Sequence, residues 1–464
     1  MSGLFQGLEI GKQALLTHQL SMSTIGHNIA NVSTPGYTRQ RVQVASSMPI
    51  QIGNYNVGNG VTAQSILQVR DLFLTGQYRR ENKSLGEWSY REKALTQIET
   101  FFAEPNSESL GDVLNKFWNS WSDLSNNPES TAARSAVISQ GRLLADSFHS
   151  LDRRFQEMQV SVDHDVVARV DEVNSRGKEI ANLNRLIISQ ELGGQKANDL
   201  RDQRDNLIDE LSSIVDVTTA EKSNGSVTVF ISGLAVVENA DTFELGTRME
   251  SGMTQARHEI IWKGTKTAVK ITGGELKGLL NTRDTVIPAY RRKLDDLAAN
   301  IVREVNAVHR TGTGLTGVTG LEFFNSAFTS AGTIQLDTGM SDPNLIAASL
   351  SGEPGDNAIA LAMADLRNRT VMSSGTATMA EFYTAMIGDV GVETHEAETL
   401  KGTFDVMVQQ IENSRQSVQG VSLDEETANM MKMQQSYNAA ARIITTMDEA
   451  LSTVIQGMGV VGRS

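Results

Sequence analysis

Apolar residues recur at every seventh position at both ends of the chain. Leu8, Leu15, Met22 and Ile29 form one row near the N-terminus, with Leu4, His18 and Ile25 at the companion position. This is the seam by which one helix lies along another. Between Gln13 and Thr38 there is no Asp, Glu, Lys or Arg, although Ser, Thr, Gln and Asn abound. A tract so free of charge predicts a cover other than water. At the far end Leu423, Met430, Tyr437, Ile444, Leu451 and Met458 repeat the spacing, with Met433, Ala440, Met447 and Val454 at the companion position. A single stripe is what any core-facing helix shows. Two such stripes at opposite termini predict helices that pair with each other and with neighbouring chains.

The middle reads as more helix. Trp88, Leu95 and Phe102 mark one segment and Leu110, Leu114, Phe117, Trp121 and Leu124 another, before Asn126-Asn127-Pro128 breaks the pattern. From about Thr131 to Leu192 the spacing predicts one very long helix. Val137, Leu144, Leu151 and Met158 carry its first seam, and Val166, Val173, Ile180 and Ile187 a shifted one. Gly193-Gly194 ends it, and Leu200, Leu207, Leu211 and Ile214 begin the next. Near Val215 the texture changes to short β-branched runs (VTVFISG, LAVVE, HEIIWKG, TAVKIT) separated by Asn-Gly, Ser-Gly and Lys-Gly turns, which predicts a small antiparallel β domain. Helix resumes through Leu280, Ile287, Leu294, Ile301 and Val308, with Pro288 dividing its start. After a Gly-rich, mixed stretch to about residue 370, Thr378 and Glu381 stand at capping-box spacing ahead of Phe382, Met386, Leu400, Phe404, Val408 and Ile411.

The expected fold is therefore mainly α with a β insert, drawn out as an elongated multidomain rod with both termini paired as a coiled coil at its root. Residues 1–65 with 423–464 make the terminal helical coiled-coil domain, whose segments order when neighbours bury them. Residues 66–214 with 275–310 and 371–422 make a long-helix bundle, 215–274 the small β domain and 311–370 a mixed outer segment. A length of 464 residues agrees with more than one core.

Composition narrows the function. A formal charge of −14 without a Lys/Arg cluster disfavours nucleic acid as a partner. Cysteine is absent, which removes disulfides and thiolate zinc sites. The N-terminus lacks the basic and continuous apolar regions of a cleaved signal peptide, and no run approaches the roughly 18 apolar residues of a membrane span, so no membrane insertion is expected.

Candidate chemistry is thin. Gly312-Thr313-Gly314-Leu315-Thr316-Gly317 spells a dinucleotide fingerprint but follows a helix, whereas the phosphate turn needs a strand before it, so it reads as a loop. Asp163-His164-Asp165 places neighbours that point apart on a helix, which suits a solvated surface better than a metal. His18, His27, His149, His258, His309 and His395 are dispersed without ligand spacing. No catalytic, cofactor or metal residue is assigned, and a carboxylate-dependent hydrolase of cell-wall glycan survives only because Asp and Glu total 55.

One segment stands apart. In Ala30-Asn31-Val32-Ser33-Thr34-Pro35-Gly36-Tyr37-Thr38-Arg39-Gln40, Asn31 and Ser33 can end the first helix, Pro35-Gly36 forces a turn of type II character and Tyr37 can anchor the exit. With Gly26, His27, Asn28 and Ile29 before it, this stretch resembles the signature of the bacterial flagellar rod, hook and hook-associated proteins, its motif residues here being Asn28, Ala30, Asn31, Thr34, Pro35, Gly36 and Tyr37. Leu423-Asp424-Glu425-Glu426, Met433 to Arg442 and Thr446 to Glu449 resemble that family's C-terminal block. The Thr34 to Gln40 form is similar to the hook-associated branch, where rod and hook subunits carry Thr-Gly-Phe-Lys. Gly273 to Leu280, Arg283-Asp284, Ile287-Pro288, Leu294 to Ala298 and Gly320 to Phe324 agree with that branch, so the resemblance covers nearly the whole chain.

The resemblance implies a non-enzymatic structural subunit at the hook–filament junction, exported without a cleaved signal peptide to the extracellular flagellum and needed for filament assembly. It implies assembly with itself in a ring or helical array through Leu8, Leu15, Met22, Ile29, Met430, Tyr437, Ile444 and Leu451. Hook protein and hook-associated protein 3 would be its neighbours, and a cytoplasmic export chaperone would bind the C-terminal helix around Met430, Met433, Tyr437, Ile444 and Met447. No cofactor is implied. Other readings are another axial subunit of the hook or rod, a secreted adhesin, or the hydrolase above.

Overall fold

The charge-free N-terminal tract folds as helix α1 (Ser2–Ala30) in the computed structural model, which describes residues 2–52, 54–102, 109–250, 257–353 and 355–459. The side chains of the expected seam residues Leu4 and Met458, and residues 460–464 of the expected terminal domain, lie outside that description. The rest of the domain expected over 1–65 is not helical. β1 (Gln40–Ser46), β2 (Ile50–Ile52), β3 (Tyr55–Val57) and β4 (Val61–Gln68) follow, with β1 antiparallel to β4 and β2 to β3. Alternating apolar residues such as Val42, Val44, Ile50 and Ile52 suit a pleat, and the heptads stop at Ile29. The helical expectation is corrected there.

The bundle is α2 (Leu72–Phe102), α3 (Leu110–Asn126), α4 (Thr131–Glu191) and α5 (Asn198–Ile214). Helix α4 has 61 residues, and at 1.5 Å per residue it is about 90 Å long, so it sets the molecule's long axis. Ser130 caps its start, and Ser109 and Asp112 form a capping box on α3. β5 (Val217–Glu221), β6 (Val227–Ile231), β7 (Leu234–Glu238) and β8 (Asp241–Thr242) make a four-stranded antiparallel sheet, while β9 (Leu245–Met249) and β10 (His258–Trp262) pair separately. The insert expected as one β domain is thus two small sheets, both in contact with α4. α6 (Glu275–Asn281) runs through a π-helical turn, Thr282–Val286, into α7 (Ile287–His309), with Pro288 directly after that turn, where the widened register accommodates its ring and missing N–H. α8 (Ala358–Asp365) lies in the mixed segment. α9 (Met379–Gln419) starts at the Thr378–Glu381 capping box and packs along α2. α10 (Leu423–Gly459) returns beside α1.

One buried cluster runs through this bundle. Phe117 of α3 meets Phe323 and Phe324, Trp121 meets Phe323 and Trp118 stacks beside Phe117, which carries residues 311–370 onto α3, α4 and α7. Asn306 of α7 holds that strip in place: its Oδ1 accepts from Phe323 N and Phe324 N at 3.0 and 2.9 Å, and its Nδ2 donates to Phe324 O at 2.7 Å. Asp163 is not solvated as expected. It is buried, accepting from Arg283 Nη1 at 2.6 Å and His258 N at 2.8 Å, and it lies 2.6 Å from the His258 ring. Burial would raise its carboxyl, but His258 and Arg283 outweigh it and hold it below the ordinary value. The seam position at 162 and 166 left Asp163 on the shoulder of the core, where a cation from 120 residues away could reach it.

His309 closes α7 as a neutral imidazole, Nδ1 donating to Leu321 O at 2.8 Å and Nε2 accepting from Ala347 N at 3.0 Å. Burial pulls its pKa down to about 4. The folded value lies below the unfolded one of about 6.5, so the unfolded chain takes up the proton first and stability is lost as pH falls from about 6.5 towards 4. The stability difference between the parent and His309→Gln should shrink by ~3 kcal/mol across that window in denaturant titrations. A pH-independent difference would remove His309 from the linkage.

Candidate assembly interface

The two terminal helices run antiparallel, and glycine sets how closely they approach. An added Cβ at Gly7 would stand 2.9 Å from Met447 Cε and one at Gly11 2.7 Å from Ile444 Cγ1, while Gly26 lies 3.9 Å from Met430 Cε. Ala440 and Leu451 are buried, and Met430, Met433, Tyr437, Ile444 and Met447 are half-buried on the same face of α10. Leu8, Leu15, Met22 and Ile29 of α1 are also half-buried. The heptads therefore meet inside the chain, as a two-helix pair. A different set of apolar residues points outward: Phe5, Leu16 and Leu20 on α1, at 60, 57 and 37 % exposure, and Met431, Ile443 and Ile455 on α10. Seam spacing does not find these positions. The missing charge around α1 was the signal that could have.

The signature segment joins this pair to the bundle through one amide. Asn28 is 1 % exposed, and its Oδ1 accepts from Tyr37 Oη at 2.8 Å and Gln40 N at 3.0 Å. Its Nδ2 donates to Gln40 O and to Glu426 Oε2, both at 2.9 Å. All four bonds of a buried Asn are thereby made, to the loop, β1 and α10. Asn31 ends α1 by donating to His27 O at 3.0 Å and accepting from Thr34 Oγ1 at 3.1 Å, and Ala30 is the helix's last residue. Pro35 and Gly36 make the turn, Tyr37 N donating to Thr34 O at 3.2 Å. Gly36 has φ +73°, and a Cβ there would fall 2.0 Å from the Asn206 amide, so conformation and space both require glycine. Arg39 N donates to Gln419 O at 2.8 Å and its guanidinium bonds Glu425 at 2.8 Å, spanning the three-residue joint between α9 and α10.

Helix α5 receives the other side. Asp199, Asp202, Asp205 and Asp209, spaced three, three and four, share one face. Asp199 accepts from Gln40 Nε2 at 2.7 Å, and Asp202 from Thr38 N at 2.9 Å and Gln68 Nε2 at 2.6 Å. Asp205 pairs with Arg70, and Asp209 with Arg79 at 2.5 Å and Arg415 at 2.9 Å. Burial would raise Asp205, but Arg70, Arg204 and Arg79 overcome it and hold it below the ordinary range. Among the described residues Asp202 has no ion pair, and burial pushes it up to about 6. Burial, then Asp199, Asp202 and Glu426, push the Tyr37 phenol up, so it stays a donor to Asn28. Among the described residues no cluster of His, Asp and Glu could hold a metal ion, and no helix is long and apolar enough to cross a membrane.

Comparison with known proteins shows the family. The chain is 33% identical to flagellar hook-associated protein 1 of Bacillus subtilis, over all of both chains. It belongs to the flagellar hook-associated protein 1 family. The Escherichia coli relative is 24% identical over 98% of this chain and all of its own. A family model described as the flagellar hook-associated protein FlgK helical domain matches residues 95–324, and one for the flagellar basal body rod FlgEFG protein C-terminal matches 414–457. The solved flagellar hook junction protein FlgK of Burkholderia pseudomallei shares the fold, with TM-score 0.65 over 73% of this chain and all of that one at 16% identity. The chain is thus a structural component of the bacterial flagellum, mainly helical with small antiparallel sheets.

Asn28→Ala would leave Glu426, Tyr37 and the Gln40 backbone short of partners inside the protein. We expect a loss of ~2–4 kcal/mol at the joint, read as faster proteolysis within residues 1–40 of the full-length chain. Cleavage at the parent rate would mean the amide is not what holds the joint.

Proposed function

We propose that this chain is a subunit of the hook–filament junction, that it polymerises through its terminal helices and that the filament cannot assemble without it. The observation that carries this is the full-length similarity to flagellar hook-associated protein 1, and the outward row of Phe5, Leu16 and Leu20 on the paired helices supports it. Leu8, Leu15, Met22, Ile29, Met430, Tyr437, Ile444 and Leu451 act in assembly by building the two-helix unit whose outer faces meet other subunits. The partners are further copies of itself, the hook protein and hook-associated protein 3. The chain has no catalytic role, and it reaches the extracellular flagellum through the flagellar export apparatus.

Before export a chaperone covers Met430, Met433, Tyr437, Ile444 and Met447. These side chains lie on the α10 face that α1 occupies in the folded chain, so chaperone and α1 exclude one another. Methionine suits a surface that must fit two partners in turn. The working division of the chain is the terminal unit, with 1–65 and 423–464, the bundle, with 66–214, 275–310 and 371–422, the β insert at 215–274 and the outer segment at 311–370.

A strain lacking the gene should carry bare hooks and lose filament subunits to the medium, as seen by electron microscopy and blotting. Intact filaments would overturn the junction role. Removal of residues 1–40 or 423–464 should leave a folded, monomeric middle by sedimentation and abolish assembly. Flagella built from either truncated protein would refute polymerisation through the termini.

A further inference from the structure

The strands between α1 and α2 carry no charge either. From Val42 to Val69 there is no Asp, Glu, Lys or Arg, in a chain that is 21% charged. Two-stranded ladders are marginal by themselves, and exposed strand edges are ordinarily guarded by Lys, Pro or a bulge. Here β1–β4 has one bulge, between Gln43 and Val44, and β2–β3 is a two-stranded tip. The inner side of the unit lies on its own α1, where Ser47 Oγ donates to Gln13 Oε1 at 2.9 Å and Gly60 faces Ile10. Its outer end is apolar and open: Met48 is 88 % exposed, Tyr55 78 %, Ile50 45 % and Val57 38 %.

Charge indicates what covers this tip. With a net charge of −14, two copies repel wherever their ordinary surfaces meet. They can approach without that penalty only through charge-free tracts, and the chain has two in succession, 13–38 and 42–69. A partner recognised through its charge would meet complementary charge here, and the tip bears none. The matching surface is the outer side of α1, where Leu16 and Leu20 stay exposed although the hairpin of the same chain packs beside them.

We propose that the outer end of this unit is a clasp between copies: Met48, Ile50, Tyr55 and Val57 of one subunit pack on the Leu16 and Leu20 side of α1 in the next. This rests on the reading of the chain as an assembling subunit. It adds a β element, outside the terminal helices, as the part that grips a neighbour.

Because the chain has no cysteine, the contact can be trapped cleanly. Full-length Tyr55→Cys and Leu16→Cys proteins are expressed together, flagella are isolated and oxidised, and the chains are separated without reductant. The expected result is a covalent dimer that needs both substitutions and does not form when Leu192→Cys, at the exposed end of α4, replaces Leu16→Cys. The double variant Ile50→Asp, Tyr55→Asp should be exported and melt like the parent, yet give at least tenfold fewer filaments. Assembled particles without the 55–16 dimer would overturn the clasp, as would adducts joining Tyr55→Cys only to another protein, or normal filament numbers from the double variant. The deletion phenotype tests the junction role alone, and the dimer tests the clasp alone.

Discussion

A buried amide must satisfy every donor and acceptor it carries, and at Asn28 that requirement ties three parts of the molecule together. Its four bonds reach Tyr37 in the loop, both backbone groups of Gln40 at the head of β1, and Glu426 in the first turns of α10. Tyr37 and Gln40 come back to Asn28 through the turn at Pro35-Gly36, and that turn needs the space beside Asn206 of α5. The signature segment is therefore a joint. It ends one helix, starts a strand and docks the C-terminal helix, with little of its chemistry left over for anything else.

The joint is anchored by charge on the bundle side and freed of charge on the other. The acidic face of α5 draws Arg70 and Arg79 from around the start of α2 and Arg415 from the end of α9, and Arg415 also lies over the Tyr78 ring. Buried pairs of this kind fix a geometry more than they add stability, since desolvation offsets most of the attraction. Beyond the joint the pattern reverses, and from 13 to 69 the only charged residues are Arg39 and Arg41. One end of the molecule is thus rigidly specified by its own ion pairs, while the other is left without the repulsion that would keep copies apart.

Periodicity made the helices legible. The long helix predicted from Thr131 to Leu192 is α4, and the Thr378–Glu381 box opens α9, because a repeated seam and a cap are local facts that a chain states directly. The hairpin at 40–68 was hidden because its alternating runs are only a few residues long, too short to stand out beside the heptads of α1. The three- and four-residue spacing of aspartates on α5 was visible, but what neutralises them was not, because Arg415 lies 206 residues away from Asp209.

By itself the sequence determined the helical rod, the pairing of its two ends and the motif that places it among flagellar axial proteins. Those are consequences of spacing, composition and short-range capping. Only the tertiary structure decided which apolar faces close on each other and which remain outside. Most described heptad residues are taken up between α1 and α10, where glycines at 7 and 11 let Met447 and Ile444 come close, and that leaves Phe5, Leu16, Leu20 and the hairpin tip among the uncovered residues. The physical reason is that a helix's spacing says how wide its apolar stripe is, whereas the partner that buries a given side of it depends on contacts hundreds of residues apart.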